Sequence, residues 1–116
     1  MNQIIIDKAV SGKFKQDLLT AWQEGHGGNA EKIHVFHGEE GVVLIIPEAL
    51  YPAELDLQRA SREGGRILHE YLRTLLESVA SDFITTVEEM AEKNIGDVIP
   101  LIDLRAGWAI AFFQFK

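Results

Sequence analysis

From residue 52 to residue 92, about a third of the chain, an apolar side chain returns every third or fourth position without a slip of phase. Leu68, Leu72, Leu75, Val79, Phe83, Val87 and Met90 define the stripe, and Ile67, Tyr71, Leu76, Ile84 and Ala91 widen it. This is the period of an amphipathic helix. A straight helix of that length, at about 1.5 Å of rise per residue, would run roughly 60 Å. A domain of this size has a radius of gyration of only ~13–14 Å. The helix must therefore bend, break, or take part of its cover from another chain. Its weak points are Gly64-Gly65 and residues 78–82. Adjacent glycines cost about 2 kcal/mol relative to alanine, yet the apolar phase runs through both points, which predicts a bend rather than a loop. No reactive group lies on the apolar face.

The flanking segments are shorter. Val10, Phe14, Leu18, Ala21 and Trp22 mark one face of a helix over residues 8–23, closed by Gly25-His26-Gly27-Gly28-Asn29, a cluster suited to left-handed caps. Residues 32–37 and 42–46 read as two strands joined at Gly38-Glu39-Glu40-Gly41. Pro47 stops the second strand by removing a donor. Pro52 suits the first position of the next helix, and Glu54 in that first turn meets the positive end of its dipole. Lys93 and Asn94 favour termination of the helix. Residues 95–104 and 108–115 form a second hairpin, and Pro100 places the first of these strands on an edge or at a bulge.

The expectation is one α+β domain over residues 1–116: helix, hairpin, long bent or broken helix, hairpin, with a four-stranded antiparallel sheet packed by helices. In the last strand Trp108, Ile110 and Phe112 point one way, and Ala109, Ala111, Phe113 and Phe115 the other. Residues 42–46 are also apolar on both sides. A sheet with one wet face alternates more cleanly, so either helices cover both faces or a second subunit does. A homodimer is the expectation.

Eighteen acidic against 11 basic residues give a net charge of −7, which argues against a nucleic-acid binder and against docking to anionic lipid. There is no cysteine, which removes disulfides and thiolate chemistry. Met1-Asn2-Gln3-Ile4-Ile5-Ile6-Asp7 is too short an apolar run for a signal peptide, and no stretch reaches the roughly 20 apolar residues of a membrane span. A cytoplasmic protein without direct membrane insertion is expected.

Candidate chemistry is sparse. His34 and His37, three apart on a strand, face opposite sides and cannot share a metal. His69-Glu70 lacks the second histidine of a zinc-protease helix. The cluster at Gly25 follows a helix and feeds a strand, the reverse of a phosphate loop. Glu88, Glu89 and Glu92 oppose the apolar face, while Asp97 and Asp103 flank the strand that contains Pro100. No catalytic residue, cofactor or metal ligand is assigned. Arg59, Arg62, Arg66 and Arg73 concentrate positive charge, and Glu63–Arg66, Arg66–Glu70 and Arg73–Glu77 read as helix-surface pairs. Arg59, Arg62 and Arg66 are also candidates for contact with a partner or, with His69, a small anion.

Four segments resemble the MpsC-like family, named for a sodium-translocating, membrane-potential-generating system. They are Gly25-His26-Gly27-Gly28 leading into Ile33-His34-Val35; Gly41-Val42-Val43-Leu44-Ile45-Ile46 with Leu50-Tyr51-Pro52-Ala53-Glu54; residues 66–76 running into Val87-Glu88-Glu89-Met90; and Val98-Ile99-Pro100-Leu101-Ile102-Asp103 before the terminal strand. The resemblance spans about residues 12–115. It differs at Gly28, Pro100 and Tyr51, the last standing where the family has a threonine that would cap the helix with Glu54. The resemblance implies an accessory role in ion or inorganic-carbon uptake and concentration.

The residues themselves point to a non-enzymatic protein-interaction module: an adaptor, assembly factor or accessory subunit. The alternative is a sensor of small anions or metabolites. Trp108, Phe112, Phe113 and Phe115 are the candidate anchors, because aromatic side chains dominate binding energy. If the last strand lies at a sheet edge, a partner segment could add to it.

Overall fold

The computed structural model describes residues 8–27 and 30–116, with side chains from residue 12 onward. Residues 1–7, Gly28, Asn29 and the side chain of Val10, all used in the sequence reading, lie outside the described residues. The elements are α1 (Lys8–His26), β1 (His34–His37), β2 (Gly41–Ile46), α2 (Pro52–Ala60), α3 (Arg62–Ser81), α4 (Ile84–Ala91), β3 (Ile95–Asp103) and β4 (Trp108–Phe115). The strands form one antiparallel sheet in the order β1-β2-β4-β3. The α+β class and the four-stranded sheet expected from the sequence are both present.

The long periodic stretch is three helices, not one bent helix. Its straight length would not fit a molecule whose longest dimension is 45 Å. The first break is at Ser61, whose backbone is extended (φ −147°, ψ 121°). The Ser61 N–H donates to the Leu57 carbonyl at 3.1 Å, closing α2. Its Oγ accepts from the Gly64 N–H at 3.0 Å, opening α3. One serine thus ends one helix and caps the next. Gly64 and Gly65 are not a bend. α2 folds back over the first turn of α3, and a Cβ on Gly65 would sit 3.3 Å from Gln58 Cβ. The glycines allow that close approach.

The second break, at Asp82 and Phe83, falls at the end of the weak point expected at residues 78–82. Asp82 keeps near-helical angles (φ −67°, ψ −15°), so α4 continues the face of α3. Leu68, Leu72, Leu76, Val79, Val87 and Ala91 are all buried, which accounts for the unbroken apolar phase. Glu92, left-handed at φ 54°, terminates α4, one residue ahead of the expected Lys93-Asn94 stop.

α1 runs past the expected residue 23, through Gly25 to His26, and ends inside the glycine cluster with Gly27 at φ 76° and its N–H on the Gln23 carbonyl at 2.6 Å. The core lies between the helices and one side of the sheet. Phe14, Leu18, Trp22, Leu68, Leu72, Leu76 and Val87 pack with Val42, Leu44, Ile46, Ile102, Ala109, Ala111 and Phe113. Small Ala109 and Ala111 at mid-sheet meet Leu18 of α1 and Leu76, Val79 and Ala80 of α3.

Candidate functional site: the uncovered face of the sheet

Alternation along the strands puts a second set of side chains on the side away from that core. Cross-strand register aligns them in rows. Phe36, Val43, Phe112 and Ile99 form one row, and His34, Ile45, Ile110 and Leu101 the next. Trp108 opposite Asp103, and Gln114 opposite Asp97, bracket these rows. Phe36 is 56% exposed, Leu101 51%, Ile99 43% and Trp108 40%, far more than any packed core residue. Val43, Ile45, Ile110 and Phe112 are half-buried by their neighbours in the sheet. The two central rows therefore hold seven apolar side chains and one histidine.

Gly41 completes the floor of the site. A Cβ there would collide with the Phe113 carbonyl oxygen and with the Phe112 ring, so that ring lies directly over the glycine. Phe36, His37, the Gly38–Gly41 turn, Val43 and Phe112 line a shallow depression of about 360 Å³ at this end of the face.

The aromatic anchors expected in the last strand divide. Trp108 and Phe112 belong to the uncovered face. Phe113 is corrected to a core residue, since it is wholly buried and points at the helices. Phe115 lies on the same side as Phe113, with the Lys93 ammonium 5.1 Å from its ring centroid. Strand addition to β4 is also corrected. β4 is interior and hydrogen-bonded on both sides by β2 and β3, so it has no free edge to offer. The edges are β1, only four residues long, and β3, which carries Pro100 and has an irregularity between Ile95 and Asp97. Short, bulged or proline-bearing edges resist pairing with another chain.

The arginines lie on exposed helix surface. Arg66 contacts Glu63 at 2.6 Å and Glu70 at 3.3 Å, and Arg59 lies 4.0 Å from Asp56. The Glu63 hydrogen bond and the nearby Glu70 charge raise the Arg66 pKa. Arg62 is exposed at the start of α3. The expected Glu63–Arg66 and Arg66–Glu70 pairs form, while Arg73–Glu77 is not among the ion pairs of the described residues.

One buried polar cluster escaped the sequence reading. The His26 side chain, 3% exposed, sits 2.8 Å from Glu54 Oε1. The ring stacks on Trp22 at 5.1 Å and lies against Tyr51 at 5.1 Å. The same carboxylate oxygen accepts the Tyr51 N–H at 2.8 Å, so Glu54 supplies its half of a capping box without the threonine. The one available signal was the four-residue spacing of Trp22 and His26 along α1. Two aromatic rings enclose the imidazole and leave no face for a substrate. The cluster ties the C-terminus of α1 to the N-terminus of α2 through the His26–Glu54 contact. His34 and His37 sit on opposite sides of β1, as expected.

Scans against protein-family models, curated proteins and solved structures found no match. No helix among the described residues is long and apolar enough to cross a membrane.

Proposed function

We propose that this protein is a non-enzymatic interaction module, an adaptor, assembly factor or accessory subunit, that works through the uncovered face of its sheet. The observation that carries this reading is the apolar surface formed by Phe36, Ile99, Leu101 and Trp108 around the half-buried Val43, Ile45, Ile110 and Phe112. Single exposed apolar residues are ordinary, whereas contiguous patches beyond a few hundred Å² mark binding surfaces. Its two central rows carry Phe36 and Phe112 and no lysine or arginine, the composition of an interface core. The resemblance to the MpsC-like family adds the proposal that the larger complex serves ion or inorganic-carbon uptake.

Affinity capture from native extract tests the reading. Wild-type bait retains partners that Leu101→Lys bait loses and that Tyr71→Lys bait keeps. Tyr71, 56% exposed on the helical side, controls for a general effect of added charge. Identical sets for all three baits would contradict the proposal.

A further inference from the structure

We infer that α2 is a hinged cover: it opens as a unit while the rest of the fold stays intact, and the His26–Glu54 contact is its catch. The cover lies on the helical side and is independent of what meets the uncovered face of the sheet.

Burial sets α2 apart. α1 buries Phe14, Leu18, Leu19 and Trp22, and α3 buries Leu68, Leu72, Leu76 and Val79. α2 buries no residue, and its Leu57 is 46% exposed. Its nine residues fall short of the roughly 12–15 that an isolated helix needs, so α2 depends on what packs against it. A helix with so little buried apolar surface belongs to the low-stability end of a structure, where opening precedes global unfolding.

The two ends of the helix supply the hinges. Tyr51 before it (φ −71°, ψ 151°) and Ser61 after it (φ −147°, ψ 121°) both have extended backbones. Beyond these two residues the chain is fixed. Ala49 and Leu50 are buried. The Ala49 N–H donates to the Gly107 carbonyl at 2.8 Å, and the Ala49 carbonyl accepts from Trp22 Nε1 at 3.3 Å. On the far side the Gly64 N–H donates to Ser61 Oγ at 3.0 Å and the Gly65 N–H to the Ser61 carbonyl at 2.9 Å. Dihedral changes at a few element-terminal residues are enough to swing such a segment.

What holds α2 down is local. Leu55 lies against Gly107, Leu57 against Gly64 and Gln58 against Gly65. The polar tie is Glu54 Oε1, 2.8 Å from His26 Nε2. That tie has a cost, because His26 Nδ1 is buried with no hydrogen-bond partner among the described residues. A buried unsatisfied nitrogen is unfavourable, and opening admits water to it. The closed position thus carries a penalty that the open one lacks. Opening uncovers the imidazole and the Gly64-Gly65 surface of α3.

Native-state hydrogen exchange of the full chain, read at amides 56–60 and 68–79 across sub-denaturing urea, tests this. In the wild type the α2 amides should share one opening, at least ~100-fold more frequent than that of the α3 amides and with little dependence on urea. Glu54→Ala should raise α2 exchange at least ~10-fold through loss of a hydrogen bond to a charged group, with α3 exchange unchanged. Asp56→Ala, which removes an exposed carboxylate from the same helix, should accelerate neither set. Exchange of the α2 and α3 amides at one rate with one urea dependence would overturn the cover, and the wild type alone decides that. Glu54→Ala that leaves α2 exchange unchanged, or that speeds α2 and α3 equally, would overturn the catch.

Discussion

At Gly41 the sheet has no room for a side chain, because the Phe113 carbonyl and the Phe112 ring occupy the volume of a Cβ. Gly41→Ala should therefore cost about 1–3 kcal/mol in urea unfolding and displace the Phe112 ring from its seat. His37 is the second single-residue test. Burial, and then the nearby Lys15 charge, hold its imidazole below the ordinary 6.5. The unfolded chain then binds a proton at a pH where the folded chain does not. This contribution is complete above about pH 6.5 and is lost as pH falls through the lowered folded value. Stability of His37→Asn should consequently fall less steeply between neutral and mildly acidic pH than that of the wild type. Equal slopes would contradict the assignment. Neither role was legible in the sequence: Gly41 reads as an ordinary turn residue, and His37, weighed there only as a metal ligand, comes near Lys15 of α1 only in the fold.

Among the elements, the α2–α3 corner is where pattern and structure part. The apolar period was legible across it because α2, α3 and α4 line the same core. The break itself was not, because Ser61 is one polar residue in a solvent-facing run and only its extended backbone marks it as a cap. Gly64 and Gly65 drew attention as flexible points, yet their role is to let α2 approach. Ser61→Ala should cost about 1 kcal/mol by loss of the hydrogen bond to the Gly64 N–H, and Ser61→Asp, which also caps, should restore most of it. Denaturant midpoints of the two variants decide this. The hairpins were legible for a simpler reason. Period-2 alternation assigned Trp108, Ile110 and Phe112 to one side and Phe113 and Phe115 to the other. The sequence could not say that β4 is central, because a strand apolar on both sides fits an interior place as well as an edge awaiting a partner. Pro100 in β3 was the clue to which strand took the edge.

For the whole molecule, the distribution of helices decides what the protein can do. All of the packed core among the described residues lies on one side of the sheet, leaving the other uncovered. The direct test of the expected homodimer is hydroxyl-radical labelling of the intact protein across a wide range of concentrations. Phe36 and Tyr71 are equally exposed in the single chain, at 56% each, and so serve as test and control. At high concentration Phe36, Leu101 and Trp108 should be protected while Tyr71 and Ile67 label freely, and dilution should remove the difference. Labelling of Phe36 that matches Tyr71 at every concentration would contradict the expectation that this face is buried against a second copy.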